Sequence, residues 1–361
     1  MKIVFLSCHS GVVFRGAETV CDSLAKCMAQ RHEVVVFQPK RFDQDRPYRI
    51  IEIPVEVSGR MTARSVLKRL RMDRAYRKML WFSLRSIWRC LFLAPDVIVP
   101  MNGGWVVLMA KIYSWFAGAR LVVTGQSAAC PDPFTLKMRP SLFVCLSKLT
   151  EKHVKKLAPK QNTVIIPNGV DLNLFAPGPK TNPFGLPRPV VLCAAGPDRY
   201  KNVPETIQAV ARLEGVSLLV MGGNPDTLEL GTRLLGARFR QATATHDQMP
   251  AIFNSADLFT LVSESSEAFG VVYLEAMACN LPVVATDDEL RRGIVGEAGL
   301  FVRDPRDIDA YAEGLKAALA KGWGDHPRQQ AESFDWREIA ARYEAEFQAL
   351  IVGVGSLVEP D

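Results

Sequence analysis

The chain has 361 residues, more than one hydrophobic core ordinarily spans, so two domains are expected. A hydrophobic content of 48% with 23% charged residues excludes a disordered or fibrous chain, and no run of about 18 uncharged apolar residues is present to cross a membrane. The net charge of +6 hides an asymmetry, because residues 1–170 hold 27 Lys and Arg against 11 Asp and Glu whereas residues 171–361 hold 17 against 27, so a basic domain precedes an acidic one.

The N-terminus, MKIVFLSCHS, is a strand-length apolar run that turns polar. It lacks the longer apolar core and small-residue cleavage site of a signal peptide, and a cytoplasmic protein is expected. A helical period follows from about Gly16 to Gln30, then the β-branched runs EVVVF, DVIVP, RLVVT, LFVCL and TVIIP. Short apolar strands alternating with helical segments predict a parallel sheet covered by helices on both faces. Within this half, residues 60–89 carry ten Lys and Arg and one acid, interleaved with Trp81, Phe82, Leu84, Ile87 and Trp88. That composition suits a cationic helix on an anionic membrane surface. An ordinary surface helix with its aromatics turned inward has the same composition. Nucleic acid ranks below both, and is not expected as a partner, because no base-reading motif accompanies the charge.

At residues 167–189 proline, glycine and asparagine accumulate and the periodicity stops, which places a linker at 170–188 between domains 1–169 and 189–333. A second alternating series follows: VVLCAA, a helix near 203–213, SLLVMG, a helix near 226–236, ARFRQ, a helix near 247–255, and DLFTLVS. Then come a loop, a helix beginning near Ala268, Asn280 as its left-handed cap, Pro282 and the strand VVAT. The last segment, 334–361, opens with a broadly apolar helix that would pack back across the domain junction onto the first domain. The fold class expected is α/β, two doubly wound domains facing a central cleft. Eight cysteines occur singly, with no Cys-x-x-Cys pair and no His at ligand spacing, so they read as reduced core residues and no metal site is expected.

In an open α/β sheet, ligands bind beyond the carboxyl ends of the strands, where helix N-termini present amides. The segment SEAFGVVYLEAMACNLPVVAT, 266–286, follows such a strand and holds Glu267 and Glu275 in otherwise uncharged surroundings. Carboxylates there can accept hydrogen bonds from a vicinal diol of a ribose or hexose. A plainer reading makes Ser265 and Ser266 helix caps and Glu267 a partner of the helix dipole. The loop GPDRYKN, 196–202, follows the first strand of the second domain, and its Gly196, Arg199 and Lys201 could meet a diphosphate. A solvated basic loop is the alternative. In the first domain Gly16 of FRGAE occupies the first strand-to-helix turn, where it could meet the same phosphates.

A nicotinamide enzyme of Rossmann type needs Gly-x-Gly-x-x-Gly after a strand, and HSGVVFRGAE has only Gly11 and Gly16. Asp43/Asp45 and Asp307/Asp309 match Asp-x-Asp formally, but one lies in a polar loop and the other at a helix start where aspartates cap.

Taken together, the motifs resemble retaining glycosyltransferases of family 4, which have the two-Rossmann GT-B fold. Glu267 and Glu275 with AFG, LEAMA and LPVVAT are similar to the family's Glu-x7-Glu motif. RGAE resembles its GGAE turn, VIIPNGVDLNLFAPG its linker, GPDRYKN its GR…KG loop, ADLFTLVSES the strand before the motif, and FDWREIAARY the closing helix. The likeness runs over nearly the whole chain. It implies transfer of a hexose from a nucleoside diphosphate sugar, with retention and without a metal or other cofactor. Glu275 would hold the ribose and Glu267 the transferred sugar. The amides of Phe269, Gly270 and Val271 would support sugar and diphosphate, and Lys201 with Arg199 would stabilise the departing diphosphate. Gly196, Gly16 and Gln126 would complete the donor site. The first domain would take the acceptor, a glycan or lipid-linked molecule, which with the basic segment 60–89 implies a peripheral protein on the inner face of the cell membrane. The chain departs from the pattern at Pro197 after Gly196, at Gln126 for a histidine, at Arg15 for the first glycine of GGAE, and at Gly293 for a glutamate. A sugar-nucleotide epimerase, which needs no acceptor, and a non-catalytic scaffold are the alternatives on the same fold.

Overall fold

The computed structural model describes residues 1–12, 16–40, 45–55, 74–126, 132–264 and 267–353. Arg15, Cys130, Ser265, Ser266 and the part of the basic segment at 60–73 lie outside the described residues. The chain divides into two compact units, one formed by residues 1–168 with the helix from Trp336 onward, the other by residues 169–335.

Unit 1 holds seven strands: β1 Lys2–Leu6, β2 Glu33–Gln38, β3 Arg49–Glu52, β4 Val97–Pro100, β5 Arg120–Thr124, β6 Leu142–Cys145 and β7 Thr163–Ile165. Their order is β3-β2-β1-β4-β5-β6-β7, and every pair is parallel, with Ile3 opposite Val34 and Val97. Alternation along β1 divides the core. Ile3 and Phe5 point to the face covered by Val20, Leu24 and Met28 of the Gly16–Met28 helix, whereas Val4 and Leu6 point to the face covered by Phe82, Val106 and Ala110. The terminal helix Trp336–Val352 completes the first face, burying Trp336, Ile339, Tyr343 and Phe347 in the same cluster. Arg342 donates to the Ile165 carbonyl at 2.7 Å and fixes that helix against the end of β7.

Unit 2 holds six strands: β8 Val190–Ala195, β9 Ser217–Gly222, β10 Phe239–Ala242, β11 Leu258–Leu261, β12 Val283–Thr286 and β13 Gly299–Val302. The order β10-β9-β8-β11-β12-β13 is again all parallel. Each sheet reverses its strand order once, between β1 and β4 and between β8 and β11, which is the doubly wound Rossmann pattern. Residues read from the sequence as a linker pack on unit 2. Phe175 is buried against Phe253, Asn254 donates to the Ala176 carbonyl at 3.0 Å, and Gly178 N–H donates to Asn254 at 2.9 Å.

The strands β3 and β13 were not evident in the sequence. Both are four-residue edge strands, RIIE bounded by charges and GLFV opening on a glycine, so neither stands out as an apolar strand-length run. The seven described cysteines are free thiols, six of them buried and Cys27 half-buried. Burial pushes the Cys193 thiol up to about 12, so it is inert at neutral pH. Among the described residues no helix is long and apolar enough to cross a membrane.

Candidate functional site

The reversal in unit 2 decides where the chemistry-bearing residues meet. β8 and β11 are neighbours, so the described residues leaving their carboxyl ends, 196–202 with 262–264 and 267–270, lie side by side at the point where ligands bind in such sheets. Two hydrogen bonds join them. Asn202, at φ 53°, donates from its side chain to the Val262 carbonyl at 2.7 Å, and Glu264 N–H donates to the Tyr200 carbonyl at 2.8 Å.

Across this junction the Lys201 ammonium pairs with the Glu267 carboxylate. Both side chains are largely shielded, 14% and 13% exposed, so each charge relies on the other. Arg199, placed by the sequence beside Lys201, instead forms a bidentate pair with Glu205, at 2.8 and 2.7 Å, and is otherwise 72% exposed. Gly196 is exposed, and a methyl group added there would meet no atom closer than 3.6 Å, so glycine is not sterically required.

Gly270 is required. Its φ is 85°, and an added methyl group would lie 2.5 Å from the Tyr273 ring. This turn starts the Val271–Ala278 helix at Val271 rather than near Ala268, so Glu275 stands about one turn from the N-terminus, not two. The cap is Gly270 itself, without a side-chain hydrogen bond. Phe269 is buried and anchors the loop, while Tyr273 donates to the Leu261 carbonyl at 2.7 Å. Burial raises the Tyr273 phenol to about 12, so it stays a donor.

Glu275 is buried and its Oε1 lies 3.1 Å from His246 Nε2. The His246 ring rests edge-on against Phe175, with centroids 5.2 Å apart. Sequence reasoning missed His246, which sits between β10 and the Met249–Asn254 helix with no motif around it. It also missed Arg291, 1% exposed, which donates to Ser263 Oγ at 2.8 Å, the Glu264 carbonyl at 2.9 Å and Asp288 at 2.5 Å. Arg291 thereby supports the loop after β11 from beneath.

Of the residues singled out in the sequence, Gly196, Arg199, Lys201, Glu267, Phe269, Gly270, Val271 and Glu275 gather in unit 2, whereas Gly16 and Gln126 belong to unit 1. Gly16 starts a helix and is exposed. Gln126, after β5, exchanges two amide hydrogen bonds with buried Asn168, at 2.8 and 3.0 Å.

Residues 14–174 match the family described as Glycosyltransferase Family 4, and residues 188–321 match Glycosyl transferases group 1. The chain belongs to the family 4 glycosyltransferases. This family 4 glycosyltransferase is 29% identical over 221 residues to the phosphatidyl-myo-inositol mannosyltransferase of Mycobacterium tuberculosis, a match covering 55% of this chain and 57% of that protein. It is 32% identical over 196 residues to the D-inositol 3-phosphate glycosyltransferase of Mycolicibacterium smegmatis, covering 48% and 44%. The chain thus spans about half the length of the relatives it matches. Among solved structures, sucrose-phosphate synthase from Thermosynechococcus elongatus superimposes with a TM-score of 0.76 at 20% identity over 98% of this chain and 99% of that one. Anabaena HepE in complex with UDP and glucose gives 0.73 at 19%, over 97% and 100%. These superpositions establish the GT-B fold for the family 4 glycosyltransferase described here.

Proposed function

We propose that this protein transfers a hexose from a nucleoside diphosphate sugar to a membrane-associated acceptor, a lipid-linked molecule or envelope glycan. Configuration is retained, and the reaction needs no metal or other cofactor. The observation that carries this reading is the shielded Lys201–Glu267 pair at the strand reversal of unit 2, followed in the Val271–Ala278 helix by buried Glu275, which His246 contacts. Two carboxylates and a cation in shielded surroundings match a ligand with hydroxyls at both ends and a diphosphate between them.

In the proposed mechanism Glu275 accepts hydrogen bonds from the ribose diol, and the Glu267 carboxylate turns from Lys201 to a hydroxyl of the transferred sugar. Lys201 then has a diphosphate oxygen as its partner. As the glycosidic bond breaks, negative charge grows on that diphosphate, and the preplaced ammonium with the amides of Phe269, Gly270 and Val271 stabilises it. The acceptor hydroxyl attacks on the face from which the diphosphate leaves and passes its proton to the departing phosphate oxygen, so retention needs no carboxylate nucleophile. Gly196, Gly16 and Gln126 remain proposed donor contacts, and Arg199 acts on the diphosphate only after exchanging Glu205 for it.

Two relatives are named for phosphatidyl-myo-inositol and D-inositol 3-phosphate, which supports an acceptor carrying a polyol next to a lipid or phosphate. The excess of basic residues at 60–89 supports peripheral attachment to the inner membrane face. The test is thermal shift with uridine, guanosine and adenosine diphosphate sugars. A donor at a hundredfold over its Kd adds about 2.7 kcal/mol of stability. Binding that survives both Glu267→Ala and Glu275→Ala overturns the site. An isomerised nucleotide sugar formed without acceptor overturns transfer in favour of epimerisation.

A further inference from the structure

Fifteen large hydrophobic side chains are exposed among the described residues, and eight of them lie on two helices of unit 1. On the Arg74–Leu93 helix, Trp81, Leu84, Trp88, Leu91 and Phe92 recur three or four residues apart and form one stripe. On the Trp105–Ala117 helix the exposed large residues are Ile112, Trp115 and Phe116, the last two 78% and 77% exposed. The two helices are in contact. Tyr113 donates to the Cys90 carbonyl at 3.0 Å, and Leu91 and Ala117 line one surface depression. The stripe and the Trp115–Phe116 pair therefore belong to one face. An apolar patch of this kind on a protein surface marks an interaction site.

Charge says what covers it. The two helices carry Arg74, Arg77, Lys78, Arg85, Arg89 and Lys111 and not one Asp or Glu. A second copy of this chain docking face to face would oppose two predominantly cationic sets, with Asp96 at the edge of the depression as the carboxylate beside them. An anionic bilayer offers the complement: phosphates for the guanidinium groups and, just beneath, the interfacial layer in which Trp rings settle. The Arg85 guanidinium already lies over the Trp81 ring at 4.5 Å, so cation and aromatic ring share one patch of this face.

We propose that this two-helix aromatic face inserts into the headgroup layer of an anionic membrane, with Trp88, Phe92, Trp115 and Phe116 as the buried wedge and Arg77, Arg85 and Arg89 on lipid phosphate. The proposal deepens the membrane-associated reading given above by naming the surface and adding the Trp105–Ala117 helix, whose sequence carries only one charge. Attachment is then apolar as well as electrostatic, so salt weakens it without abolishing it.

The experiment is sedimentation with phosphatidylcholine vesicles, with and without phosphatidylglycerol. The parent protein binds the anionic vesicles, with a blue shift of Trp emission. The double variant Trp115→Ala/Phe116→Ala lowers the partition coefficient at least about tenfold, as does Trp88→Ala/Phe92→Ala. All four residues are exposed, so the melting temperature and the thermal shift by nucleotide sugars stay at parental values. That control separates a failed membrane face from a failed donor site. Parental partitioning of both double variants overturns the proposal. So does self-association of the parent without lipid that the same substitutions abolish, because the face is then a contact between copies.

Discussion

Gly270 shows how much of the site depends on one backbone angle. At φ 85° with Tyr273 2.5 Å from an added methyl group, Gly270→Ala is expected to cost about 1–3 kcal/mol of stability and to weaken donor binding, since it shifts the loop carrying Phe269. Chemical denaturation and donor titration check both. Lys201 and Glu267 depend on each other in a second way. Lys201→Ala leaves Glu267 shielded and unpaired and removes the cation proposed for the leaving diphosphate, so turnover should fall about a hundredfold or more. His246 is the residue that sequence patterning hid. If it orients Glu275 through the 3.1 Å contact, His246→Gln should retain nucleotide affinity far better than His246→Ala, which isothermal titration distinguishes. Equal losses in the two variants would assign His246 a packing role against Phe175 instead.

At the scale of the element, loops rather than strands carry most of the candidate site, and they hold their shape through groups drawn from elsewhere. Arg291 is the clearest case, reaching from the Glu289–Val295 helix to Ser263 and Glu264. Arg291→Met is expected to destabilise unit 2 by about 3 kcal/mol, read from a melting curve, because Asp288 keeps its helix-capping bond but loses its ion pair, and the loop after β11 loses its support. The terminal helix adds a pH dependence. His32 sits in unit 1 beside Glu344 of that helix, with 3.8 Å between Nε2 and Oε1, and burial lowers its pKa from the ordinary 6.5 while Glu344 opposes the shift. A folded-state pKa below the unfolded one means that the unfolded chain binds more protons, so stability is full above pH 6.5 and falls as the pH drops through the folded value. His32→Leu should flatten that fall in acid melts.

For the whole molecule, two sheets with the same winding do different work. Unit 2 gathers the candidate site, whereas unit 1 carries the exposed aromatic face and the excess of positive charge. The chain starts in unit 1 and ends in it. Truncation after residue 335 would uncover Val20, Leu24 and Met28, and the shortened protein is expected to aggregate on expression. Soluble, cooperatively melting protein from that truncation would show that unit 1 folds without the terminal helix.

The alternation of apolar strands with helical segments, the position of Glu267 and Glu275 after a strand, and the family were legible in the amino-acid sequence, because side-chain periodicity and motif spacing are local properties of the chain. The edge strands β3 and β13 were not, since RIIE is bounded by charges and GLFV opens on a glycine, and each owes its conformation to a neighbour distant in sequence. The partners of the charged residues were equally hidden. Nothing local brings Lys201 to Glu267 across 66 positions, His246 to Glu275 across 29, or sets Trp115 and Phe116 beside the Arg74–Leu93 helix. Those pairings follow from strand order, which is fixed by the packing of whole sheets and helices. The residue types determined what chemistry is available to this protein, and only the tertiary structure decided which of them meet.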